Sequence, residues 1–161
     1  MAGVVHWDRD CVAAIRNGRA KDVLIEQGLP QSALLFTAVE RPSVGFTTDA
    51  GSEVIQIGCF DDDFCFYIDV DRGQVLFGLE GDEEPAFVNE TLDGFVSCLR
   101  EFDSRYPFYA AGDSGEVKQV AGRDLRAGLE VIDPMCVASA DNFWSSIIHD
   151  VSIGDYHEGS L

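Results

Sequence analysis

Apolar residues change their spacing twice along the chain, and each change predicts a change of element. Over residues 1–30, Val12 and Ile15, then Val23 and Leu24, recur at helix-compatible intervals. Asn17-Gly18 reads as a break between two short helices, and Gly28-Leu29-Pro30 closes the segment with glycine as a left-handed cap. From Leu34 to Val88 the period falls to that of a sheet. Leu34 to Val39, Val54 to Phe60, Phe64 to Val70 and Gln74 to Leu79 are β-branched and aromatic runs, and Ala86 to Val88 adds a short edge strand. The separators Asp61-Asp62-Asp63 and Asp71-Arg72-Gly73 are turn formers, so consecutive antiparallel hairpins, a meander, are expected.

The period then becomes helical again. Leu92, Phe95, Val96, Leu99 and Phe102 form one continuous apolar face, with Asn89 expected as the N-cap and Pro107 barring continuation past Tyr106. Ala110 to Glu116 reads as a loop. A helix around Arg123 to Ile132 follows, ended by Asp133-Pro134, and Phe143, Trp144, Ile147, Ile148 and Val151 mark a last helix capped by Asp141 and stopped at Gly154. His157 to Leu161 reads as a frayed tail. Strands clustered between helices define an α+β fold, a central antiparallel meander sheet flanked by N-terminal and C-terminal helices. We read one domain over residues 1–161, with a helical part at 1–30, the sheet at 34–88 and a helical part at 89–153.

Composition allows a sizeable core in a chain of 161 residues, 46% of them hydrophobic. Charge changes the picture more. The formal net charge is −18, and Asp49 to Asp103 alone holds 15 carboxylates against Arg72 and Arg100. Such a chain cannot neutralise phosphates, so no direct nucleic-acid partner and no anionic membrane is expected. A cationic partner is favoured. No apolar run reaches the roughly 18 residues of a spanning helix, and the first residues lack a signal pattern, which together point to a cytoplasmic protein. Cys11, Cys59, Cys65, Cys98 and Cys136 are odd in number and scattered, and read as small apolar residues rather than as a zinc site or a disulfide framework.

Catalytic chemistry finds no foothold in the sequence. His6, His149 and His157 have no nucleophile in a recognisable elbow, and no phosphate-binding loop is present. The string Asp69 to Gly73 with Glu80 superficially suggests a calcium loop, but glycine occupies the position of a ligand and a hairpin turn accounts for the residues. No catalytic residue, cofactor or metal site is expected. The acidic turns are different: Asp61, Asp62 and Asp63, and Asp82, Glu83 and Glu84, sit on loops where charge is readily solvated and free to meet a partner.

Three stretches, taken in order, resemble a known family. These are Gly28-Leu29-Pro30 after an N-terminal helix, the strand and turn from Ile68 to Val75, and Phe87-Val88-Asn89-Glu90-Thr91-Leu92-Asp93-Gly94-Phe95. Together they are similar to the SUKH superfamily, and Ile132-Asp133-Pro134 with Phe143-Trp144 is most similar to its fourth branch. The resemblance implies an α+β fold without catalytic residues. It also implies an immunity protein that binds and neutralises a cognate toxin domain, often a nuclease, encoded by an adjacent gene. A non-catalytic adaptor or regulatory scaffold binding a housekeeping protein is the alternative within the same family. On the immunity reading, inhibition is by stoichiometric occlusion, and the partner-binding residues are expected to be Asp61 to Asp63 and Asp82 to Glu84, with Phe60 and Phe64 as apolar anchors. A monomer or weak homodimer, paired through an edge strand, is expected.

Overall fold

The computed structural model describes residues 3–42, 45–82 and 84–161. Strand β1 (Val4–Val5) pairs with β2 (Leu29–Pro30) in a small separate ribbon. The main sheet holds β3 (Ser32–Ala33), β4 (Phe36–Ala38), β5 (Phe46–Thr47), β6 (Glu53–Cys59), β7 (Phe64–Asp69), β8 (Val75–Leu79) and β9 (Ala86–Asn89). Its order is β3-β4-β6-β7-β8-β9, with β5 also laid on β6, and every pairing is antiparallel. The expected meander is therefore present, within an α+β fold. The segment Leu34 to Val39 is a correction. It turns at Leu34 and Leu35, so the expected single strand is two short ones pairing with each other.

Three helices cover one face of the sheet: α2 (Leu92–Arg105), α3 (Gly115–Ile132) and α4 (Phe143–Ile153). Helices α2 and α4 meet β9, while α3 packs on α2 and α4. Phe66 on β7 sits at the centre, its ring 5.5 Å from Phe36, 5.1 Å from Phe95 and 5.2 Å from Phe143. Leu92, Phe95, Val96, Leu99 and Phe102 are all buried, as their spacing predicts. Burying each is worth roughly 1.5–3 kcal/mol before entropy is subtracted. The register of β6 on β7 slips between Gln56 and Gly58. This bulge turns both Ile57 and Gly58 toward the core, where a Cβ at Gly58 would overlap the Phe36 ring.

The N-terminal segment departs from expectation. Val12 and Ile15 are buried, but residues 9–14 form turns rather than a helix. Arg16 N and Asn17 N instead donate to Val70 O at 2.7 and 2.9 Å, docking the segment on the β7–β8 turn. Asn17 does not separate two helices. Its side chain accepts from Ala20 N at 2.9 Å and starts α1 (Gly18–Asp22), which widens into a π-helical turn over Val23–Gln27. Gly28 ends it at φ 72°, as a glycine should, but with ψ 173° that leads directly into β2 instead of an αL cap.

Four further boundaries differ. Asn89 is the last residue of β9, and Thr91 caps α2 by accepting from Gly94 N at 3.2 Å. Helix α3 starts at Gly115 behind Ser114, eight residues before the expected Arg123. Asn142, not Asp141, stands at the start of α4, while Gly154 stops that helix as expected. The tail is packed: Tyr156 is buried, Tyr106 Oη donates to His157 O at 3.2 Å, and His157 bridges to Tyr109.

Candidate protein-binding face

One end of the sheet gathers the acidic turns. In the β6–β7 turn, Asp61 Oδ1 accepts from Asp63 N and Phe64 N, both at 3.0 Å, so one carboxylate folds the turn and leaves its neighbours to solvent. The β7–β8 pairing continues beyond Phe64 and Leu79, because Glu80 N donates to Asp63 O at 3.1 Å. That bond places the 61–63 turn against the loop that begins at Glu80. Within the second loop, Asp82 Oδ1 accepts from Glu84 N at 3.0 Å and its carboxylate leans over Gly78. Tyr67 ties the loop down, donating to Leu79 O at 3.2 Å and accepting from Gly81 N at 3.3 Å.

Asp61, Asp62, Asp63, Glu80 and Glu84 are exposed, and Asp82 is half-buried. Glu83, the remaining expected site residue, lies outside the described residues. The ion pairs among the described residues lie elsewhere: Arg16 with Asp71 and Glu53, Arg19 with Asp93, and Arg105 with Glu101. Two loops distant in sequence thus share one patch of carboxylates with none of these cations among them.

Beside this patch runs an apolar groove of about 360 Å³, reached from the helix-covered side of the sheet. Phe60 and Phe64, 36% and 37% exposed, form one wall. Phe64 stacks on Phe77 with ring centroids 5.4 Å apart, and Phe77 in turn lies 4.7 Å from Phe143 on α4. Ile147 extends the wall, and Asp141 and Asp150 supply carboxylates. Burial first, and the neighbouring Asp155 second, push the Asp150 carboxyl above the ordinary carboxylate range. The two expected anchors are therefore brought together. Sequence reasoning missed Phe77, Phe143 and Ile147, whose alternation and helical spacing are those of core residues.

Other candidates resolve into structure. Asp69 Oδ1 accepts from Asp71 N at 2.9 Å and Arg72 N at 2.8 Å, the bonding of the expected hairpin turn. His6 lies against Ile25 O, His157 against Glu158 O, and His149 is exposed on α4, so the histidines do not converge. No described helix is long and apolar enough to cross a membrane.

Asn89 belongs to a buried polar knot. Its amide donates to Asp133 Oδ2 at 2.8 Å and accepts from Trp144 Nε1 at 2.8 Å. Asp133 accepts further bonds from Glu90 N at 2.9 Å and Met135 N at 3.1 Å. The segments around Asn89, Asp133 and Trp144 are three of the stretches that carry the family resemblance, and this knot is where they meet. The knot joins β9, the α3 terminus and α4.

A family model described as SUKH-4 immunity protein matches residues 2–150. The chain belongs to the SUKH-4 immunity protein family. No curated protein matches it, and no solved structure does.

Proposed function

We propose that this chain neutralises a cognate, cationic, nuclease-type toxin domain by stoichiometric occlusion, using the acidic end of its sheet. Family membership supports the immunity role. The observation that carries the finer reading is the side-by-side placement of the two acidic turns, joined by the Glu80–Asp63 bond and flanked by exposed Phe60 and Phe64. A nuclease holds phosphates with a cationic surface. Asp61, Asp62, Asp63, Asp82, Glu83 and Glu84 present carboxylates in the phosphates' place, and the aromatic wall supplies the desolvated contact that slows dissociation. Inhibition of this kind involves no catalytic step.

Co-expression with the polypeptide encoded by the adjacent gene tests the reading. Toxicity of that polypeptide alone, rescue of growth by this chain and a co-purifying one-to-one complex are expected. No toxicity and no complex would overturn the toxin reading in favour of an adaptor within the same fold.

A further inference from the structure

On the face of the sheet away from the helices, Cys59 and Cys65 stand directly opposite each other on β6 and β7. The next pair toward the turn is hydrogen-bonded, with Phe60 N donating to Phe64 O at 3.0 Å. Antiparallel pairs alternate, so Cys59 and Cys65 occupy a non-hydrogen-bonded position, where Cα atoms lie about 4.5 Å apart. That separation falls inside the roughly 4.4–6.8 Å that a disulfide spans.

Gln56 strengthens the placement: its Nε2 donates to Cys59 Sγ at 3.1 Å and to Cys65 Sγ at 3.4 Å. The bulge at Ile57 makes this geometry. Without the extra residue, Gln56 and Cys59, three positions apart, would point to opposite faces. The two thiols share a small outer cluster with Val54, Tyr67 and Phe46. Cys65 is buried and Cys59 only half-buried, so a reagent reaches Cys59. The other close pair, Cys98 and Cys136, is sealed in the core at 0% exposure.

We propose that Cys59 and Cys65 are a redox modification site that forms a reversible intrachain disulfide with a low-molecular-weight disulfide as oxidant. The Cys59 thiolate attacks one sulfur of the oxidant and expels a thiolate, leaving a mixed disulfide. The Cys65 thiol, losing its proton to solvent, then attacks Cys59 Sγ and expels the second thiolate. Two protein thiols are oxidised, and one small disulfide is reduced to two thiols. The new bond closes the turn that bears Asp61 to Asp63, on the sheet face opposite the aromatic groove, and leaves those carboxylates free.

The test treats the native full chain with oxidised glutathione, then denatures and alkylates it for mass spectrometry. Two of the five cysteine adducts are expected to disappear, with a Cys59–Cys65 linked peptide in a non-reducing digest and all five adducts restored by dithiothreitol. The Cys65→Ala variant should instead stop at the glutathione adduct on Cys59. A stable glutathione adduct on Cys59 in the wild-type chain would overturn the proposal. So would retention of all five adducts, or linkage of Cys59 to a different cysteine.

Discussion

The buried knot at Asn89 and the acidic end of the sheet are both polar, and they are built on opposite terms. In the knot, Asn89, Asp133 and Trp144 are enclosed and each uses its polar atoms on a partner a few ångströms away. At the sheet end, single carboxylates such as Asp61 and Asp82 fold their own turns, while Asp62, Asp63 and Glu84 face water. Buried polar groups are costly to leave unpaired, so the first arrangement is fixed by stability. Exposed like charges gain nothing for the isolated fold. The difference separates residues that hold the domain together from residues that are free to recognise something else.

Breaking the knot gives the largest expected effect. Asn89→Ala leaves the buried Trp144 indole N–H without its acceptor and takes from Asp133 Oδ2 one of its two donors, Glu90 N being the other, and should lower unfolding stability by about 3 kcal/mol in urea titration. Charge reversal at the other region should leave stability nearly untouched. In Asp62→Lys, Asp63→Lys, Glu84→Lys, stability should stay within about 0.5 kcal/mol of wild type. Phe64→Ala removes an anchor from the groove wall. Calorimetry with the toxin domain should show affinity weakened by about 2 kcal/mol, close to thirtyfold.

The smallest effect concerns pH at the groove. Asp150 has its carboxyl pushed up by burial, so the folded state favours the protonated form. That contribution is present below the ordinary carboxylate range and is lost as pH rises through the raised value. Asp150→Asn should therefore melt slightly higher than wild type at pH 7, with the gap closing on acidification. Melting curves at both pH values check the sign.

Where one apolar stripe decided an element, the sequence was readable. The β6 to β9 meander and the buried face of α2 follow directly from alternation and from helical spacing. Other elements are held by contacts that spacing cannot express. Val12 and Ile15 are buried by docking on Val70 O, not by helix formation. The first two turns of α3 carry mainly small and polar residues that stay largely exposed, so no stripe announces them. Asn89 has the chemistry of a cap, but the acceptor and donor that claim it, Asp133 and Trp144, lie far along the chain. For the candidate face, the acidic turns and the two exposed phenylalanines were visible as local anomalies. The groove beside them was not, because Phe77, Phe143 and Ile147 become a surface only when β8 and α4 are brought together.

Stopped-flow association of this chain with the toxin domain, at low and high ionic strength, tests the central claim most directly. If the acidic end of the sheet steers and seats a cationic partner, the triple lysine variant should associate about tenfold more slowly than wild type at low salt, the gap shrinking as screening increases. Equal association rates for the two proteins, insensitive to salt, would contradict it.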